Sequence, residues 1–259
     1  MLGLGYSSIE AHKRVEKLVT RTVGGILERK YYRFRVDRWY GGIVTGDCVG
    51  CGLFCKFCWV SDKVRYKPRF VGRFYKPAEV ADRLTTLARR RGLRQLRLSG
   101  GEPTIGKQHL LSLLDELKGR GYTFILETNG ILLGYDEDYA KQLGRYDFIH
   151  VRVSLKGCCE EEFARLTNAN PEDFKLQLKA LENLVKHGVE CHPAVMISFS
   201  TKESLNSLLR RLSEIDRSLV EEFEIEELIL YPHVVERLKK YGLEYFTGYT
   251  PDRVPPEQI

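Results

Sequence analysis

Cys51-Gly52-Leu53-Phe54-Cys55-Lys56-Phe57-Cys58 places three thiols within eight residues, at the spacing C-x3-C-x2-C. Ligands this close in sequence come from one tight loop wrapped around a compact metal object. A four-iron cluster has four corners, so a loop offering three thiolates leaves one iron open to an exogenous ligand. Cys48 lies three residues before Cys51, and the set also reads as C-x2-C-x3-C-x2-C. On that second reading the loop is a four-thiolate zinc site or a closed ferredoxin-type cluster, and the protein a non-catalytic electron carrier or zinc module. The second reading leaves Gly100-Gly101-Glu102-Pro103 unexplained.

Outward from this loop, strands and helices alternate. Gly42 to Thr45 reads as a first strand running directly into the cysteines. Pro77 opens a helix with Val80, Leu84, Leu87 and Ala88 on one face, and Gly92 closes it. Arg94 to Leu98, Tyr122 to Leu126, Phe148 to Leu155, Val189 to Ser198 and Phe223 to Tyr231 read as five further strands. Between them lie helical patterns at Leu110 to Leu117, Asp136 to Leu143, after Asn170-Pro171, and from a capping box at Ser200 to Glu203. Six strands separated by helices imply parallel pairing, so the fold class is α/β, a partial (β/α)6 barrel of the TIM type. An N-terminal helical extension over 1–39 precedes the 40–231 barrel, with helical spacing at Val15, Leu18, Val19, Ile26 and Leu27, and a C-terminal helix and tail over 232–259 follows it. In such barrels chemistry gathers where strands end, and the cysteine loop, Gly100 to Pro103, Glu127 to Gly130 and Ser154 to Gly157 all fall there.

Composition sets the outer bounds. The chain of 259 residues is 43% hydrophobic and 29% charged, as a globular domain with one large core is. No apolar run approaches membrane-spanning length, and Met1 to Tyr6 lacks the start of a secretory signal, so the expectation is a cytoplasmic protein. Seven cysteines then read as metal ligands plus core thiols rather than disulfides. Cys158, Cys159 and Cys191 are expected as buried or incidental thiols, giving one cluster per chain. Charge is uneven: twelve Lys or Arg face two acids between Lys63 and Arg97, and seven acids face one base between Glu214 and Glu227. A basic zone with interleaved Tyr66, Phe70, Phe74 and Tyr75 attracts phosphates, nucleic acid or an acidic protein, or is a solvated helix face.

The cysteine spacing together with Gly100-Gly101-Glu102-Pro103 resembles the radical S-adenosylmethionine (SAM) superfamily, over about residues 40 to 230. The resemblance implies a [4Fe–4S] cluster held by Cys51, Cys55 and Cys58, with SAM chelating the open iron through its amino and carboxylate groups. It implies reductive cleavage of SAM to methionine and a 5′-deoxyadenosyl radical that abstracts hydrogen from a substrate. Phe57 occupies the aromatic position near the adenine. Gly100, Gly101, Glu102 and Pro103 form the second signature, whose main chain and carboxylate suit the SAM ammonium. Glu127-Thr128-Asn129-Gly130 is similar to the third-strand motif of activating enzymes and 7-carboxy-7-deazaguanine synthases, where Thr128 and Asn129 would hold the SAM carboxylate or ribose, or a cation. Ser154 and Lys156 sit where activating enzymes often carry Asp and Lys, and His192 is a candidate pointing into the barrel toward SAM. The run after strand four resembles the activating-enzyme branch, which acts on a partner protein; Cys58-Trp59 and the basic zone favour instead a tRNA or nucleobase-precursor substrate. An electron donor of flavodoxin or ferredoxin type is implied in either case.

Overall fold

The computed structural model describes residues 5–256. The first four residues of the expected N-terminal extension and the last three of the tail lie outside them. Helix α1 (Ser8–Val19) is opened by Ser7, whose side chain accepts the Glu10 N–H, and it buries Ile9, His12, Val15 and Val19. The helical reading does not extend to Ile26 and Leu27. Thr20–Val23 (β1) and Ile26–Asp37 (β2) are an antiparallel hairpin. Gly24 and Gly25 both take positive φ, 57° and 78°, which the tight two-residue turn between twisted strands requires.

Strand β2 pairs antiparallel with β3 (Ile43–Cys48) and with β4 (Arg73–Tyr75). From β3 onward the sheet is parallel and runs in chain order through β5 (Gln95–Gly100), β6 (Thr123–Thr128), β7 (Ile149–Leu155), β8 (Cys191–Met196) and β9 (Glu224–Glu226). These six strands are the expected partial (β/α)6 barrel. Hydrogen bonds do not close it among the described residues: the ladder ends at β1 on one side and β9 on the other.

Helices pack outside this sheet. Between β3 and β5 come α2 (Asp62–Tyr66) and α3 (Pro77–Arg91), the latter buried along Val80, Ala81, Leu84 and Ala88 and ended by Gly92 at φ 67°. Next come α4 (Lys107–Leu117), then α5 (Ile131–Tyr135) and α6 (Glu137–Leu143). After β7 come α7 (Glu160–Thr167) and α8 (Phe174–Lys186), and after β8 come α9 (Lys202–Ile215) and α10 (Ser218–Glu221). The cap of α9 is Thr201, whose hydroxyl accepts the Ser204 N–H, not Ser200. The Ser200 hydroxyl donates to Glu162 instead (2.5 Å). The sixth strand is also shorter than Phe223 to Tyr231: β9 stops at Glu226, and Leu228–Ile229 (β10) leaves the barrel to pair with Gly248–Tyr249 (β11) beyond α11 (Pro232–Lys240). Apolar residues fill the space between sheet and helices, with Leu96, Leu98, Phe124, Leu126, Val151 and Val153 fully or almost fully buried.

Candidate active site

The C-terminal ends of the parallel strands surround a cavity of about 890 Å3. Cys51, Cys55 and Cys58 line it; Cys48 does not. Cys48 closes β3 and is fully buried in the core, where its thiol meets the Tyr31 hydroxyl. Three thiols and not four therefore face the cavity.

Two backbone hydrogen bonds tie the cysteine loop to the end of β5. Gly101 N–H donates to the Cys48 carbonyl (2.8 Å) and Glu102 N–H to the Gly50 carbonyl (2.7 Å). A Cβ at Gly101 would sit 2.9 Å from the Cys48 carbonyl oxygen and nearer still to that of Gly50. The second glycine of the motif is thus required by the protein's own loop.

Glu102 is buried, and its carboxylate is filled from within. Oε1 accepts the Thr104 N–H (3.1 Å), the Thr104 hydroxyl (2.6 Å) and the Thr128 hydroxyl (2.7 Å), and Oε2 accepts the Asn129 N–H (2.8 Å). An ionised carboxylate offers about four lone-pair sites, so this one has little left for a ligand. Asn129 is equally committed: its Oδ1 accepts the Ile131 N–H (3.0 Å) and its carbonyl accepts from Gln177 (2.5 Å). Glu102, Thr128 and Asn129 brace the cavity floor, while Pro103 is buried away from the cavity.

Phe57 is buried against Phe199, with ring centroids 5.5 Å apart, and Lys156 Nζ lies 6.0 Å over its centroid. Lys156 also donates to the Ser154 hydroxyl, which donates to Glu226 (2.6 Å). His192 is not brought to this cavity. It lies at the start of β8, with Nδ1 2.6 Å from His150 Nε2 and Nε2 2.9 Å from Glu224.

The sequence did not mark Arg35, Asp37, Arg152 or Glu224 as cavity residues, nor Arg97 and Glu127 as an ion pair. Arg35, Asp37, Arg97, Glu127, Arg152 and Glu224 form ion pairs across the barrel interior. Arg97 reaches Asp37 (2.7 Å) and Glu127 (3.0 Å); Arg152 reaches Glu224 (2.5 Å) and Glu226 (2.9 Å). Burial pushes the Glu127 and Glu224 carboxyls upward, but the guanidiniums outweigh it, and both groups titrate below the ordinary carboxylate range. The signal was available: a charged residue in an otherwise apolar strand, and Arg33, Arg35 and Asp37 alternating along β2. His12 gave no such signal. It reaches the loop from α1, its ring so close that a Cβ on Gly52 would lie 2.7 Å from Cε1.

The donor set fits a metal cluster. Burial pushes the Cys51 thiol far up, with Glu102 adding to the effect, while the Cys55 thiol rises only to about 11 because Lys156 opposes it. Such thiols stay protonated until a cation replaces the proton. The Leu53 N–H already points at Cys51 Sγ (3.4 Å), as suits a ligating sulfur. His12, Cys51 and Glu102 offer ligand atoms within 4.8 Å of one another, but the Glu102 oxygens and the His12 nitrogens are taken by protein partners.

Residues 47–212 match the Radical SAM superfamily. The chain belongs to it.

As a radical SAM enzyme it uses SAM and a [4Fe–4S] cluster, for which the loop ending at Cys58 has the binding motif. This radical SAM chain is 29% identical to the probable GTP 3′,8-cyclase of Thermococcus kodakarensis, over 53% of this chain and 41% of that protein. It is 30% identical to the probable GTP 3′,8-cyclase of Methanosarcina acetivorans, over 62% of this chain and 48% of that protein. It thus spans less than half the length of these relatives. In fold it is similar to Streptococcus suis SuiB bound to S-adenosylmethionine (TM-score 0.56, 18% identity, 78% of this chain and 48% of that). It is likewise similar to anSMEcpe with bound AdoMet (TM-score 0.52, 22% identity, 70% and 50%). No helix among the described residues is long and apolar enough to cross a membrane.

Proposed function

We propose that this radical SAM enzyme abstracts hydrogen from a polar segment of a partner protein, in the manner of the activating-enzyme branch. Cys51, Cys55 and Cys58 hold the cluster. When bound, the cluster supplies the electron that splits SAM into methionine and a 5′-deoxyadenosyl radical. Phe57 offers its face to the adenine, and the cavity-lining backbone of Gly100 and Gly101 receives the SAM ammonium. Lys156, hydrogen-bonded to Ser154, neutralises the SAM carboxylate. Glu102, Thr128 and Asn129 hold these groups in place from behind, and a flavodoxin- or ferredoxin-type protein donates the electron.

Charge matching carries the choice of substrate. Arg33, Arg35, Arg97 and Arg152 all line the cavity and all already meet carboxylates. A polyphosphate would have to break such pairs, leaving buried carboxylates uncompensated, whereas peptide groups can hydrogen-bond beside them. The peptides bound to SuiB and to anSMEcpe in other structures support this reading.

A nucleotide substrate is the second reading. The named activity of the Thermococcus and Methanosarcina relatives favours it, as does Arg38, which lines the cavity over the Trp39 ring (5.8 Å) and pairs with no carboxylate among the described residues. Anaerobic, reduced protein should convert SAM to 5′-deoxyadenosine at a slow basal rate that GTP and tRNA leave unchanged. Stimulation by either would transfer the case to the second reading, and no SAM cleavage at all would sink both.

A further inference from the structure

Asn129 stands between the N-terminal helix and the cysteine loop. Its Nδ2 lies 3.2 Å from His12 Nε2 and 3.6 Å from Cys51 Sγ. A carboxamide nitrogen carries two N–H groups, so it can serve both. The direction of the first bond follows from the other side of the imidazole. His12 Nδ1 lies 2.7 Å from the Ser8 carbonyl, which can only accept. The proton therefore sits on Nδ1, and Nε2 is left as the acceptor for Asn129.

We propose that His12 is a positioning residue for the cluster: by accepting one Asn129 N–H it aims the other at Cys51 Sγ, and so sets the reduction potential of the centre. The proposal rests on Cys51 being a cluster ligand. Hydrogen bonds to ligating sulfurs stabilise the more negative, reduced form of a cluster and raise its potential. Two donors converge on this sulfur, the Leu53 N–H of the loop itself and the Asn129 amide. The loop donor is fixed by local backbone. The amide donor depends on a residue 117 positions away in sequence, on a different element. Without an acceptor at position 12 only the Oδ1 bond from the Ile131 N–H orients the amide, and the N–H aimed at the sulfur is held less firmly.

Gln and Met are nearly the same shape, but Gln offers a strong oxygen acceptor and Met only a weak sulfur one. The full-length wild type, His12→Gln and His12→Met are reconstituted with iron and sulfide, and iron per chain and midpoint potential are measured by a titration followed by electron paramagnetic resonance. Wild type and His12→Gln should share one potential, with His12→Met shifted negative at equal iron content. Loss of iron in His12→Met alone also supports the proposal, since Gln keeps a strong acceptor at that position and Met does not. Three equal potentials overturn it, as does loss of iron in both variants, which makes His12 structural. A wild type that binds no iron would overturn the ligand assignment itself.

Discussion

Replacing Gly101 by alanine tests whether the Gly-Gly-Glu-Pro turn exists to brace the cysteine loop. The added methyl would stand 2.9 Å from the Cys48 carbonyl oxygen and closer to that of Gly50, so loop and turn must separate. Separation strains or breaks the two backbone hydrogen bonds that join them, from Gly101 to Cys48 and from Glu102 to Gly50. Each contributes about 0.5–1.5 kcal/mol net, and forcing a methyl into packed structure costs about 1–3 kcal/mol more. The sum is about 2–6 kcal/mol, or roughly 4–24 °C in Tm for a chain of this size. Because the displaced carbonyls belong to Cys48 and to the residue before Cys51, iron bound per chain should fall severalfold as well. Gly92→Ala is the control: its φ is 67° but nothing lies within 4 Å of its added methyl. It should cost only the left-handed strain, about 1–2 kcal/mol, and leave iron content unchanged. Scanning calorimetry on the apo-protein and iron quantitation after anaerobic reconstitution read the two effects separately. A Gly101→Ala protein with wild-type Tm and wild-type iron would refute the bracing argument.

Three further outcomes are expected. Glu102→Gln turns an amide nitrogen toward a site that only donors occupy, so urea denaturation should show a loss of about 2–4 kcal/mol; an unchanged midpoint would mean the carboxylate is not held as described. Cys48→Ala should retain wild-type iron while Cys55→Ala loses it, and equal loss from both would restore the four-thiolate reading. His109 is buried between the Tyr31 hydroxyl (3.0 Å) and the Leu27 carbonyl (2.9 Å), and burial lowers its pKa to about 4. The unfolded chain, with a pKa of about 6.5, takes up the proton first, so stability should fall by roughly 3 kcal/mol as pH drops from about 6.5 to about 4. His109→Gln should flatten the denaturation curve over that window, and parallel curves would exclude His109 as the cause.

What the sequence disclosed follows local rules. Pro77 and Gly92 bound α3 because one needs no N–H at a helix start and the other adopts φ 67° at its end. The three cavity-facing thiols were legible because a loop this short has few ways to fold around a cluster. Ile26 and Leu27 fit helical spacing after Val19, which hides the hairpin of β1 and β2, although Gly24-Gly25 is itself a turn signal. Glu28 to Tyr31 are all buried, so β2 shows no alternation there. The fate of Glu102 and Asn129 was not legible at all: both are polar residues in a ligand-binding motif, and only the fold shows their bonds consumed by protein partners. His192 stands away from the cavity because β8 starts only at Cys191, which leaves it at the N-terminal end of the strand, a boundary the apolar pattern does not mark.

The segment from Tyr6 to His12 also bears on how the protein matures. Tyr6 exchanges backbone hydrogen bonds with Asn168 and Asn170, and its hydroxyl accepts the Phe54 N–H (3.0 Å). Docking of this segment therefore closes a loop of about 160 residues, a step that entropy makes slow. Until then the loop meant to grip iron lacks one of its walls. Stable metal uptake is accordingly expected only once the Asn168 segment has folded, and a chain truncated before Asn168 should remain colourless.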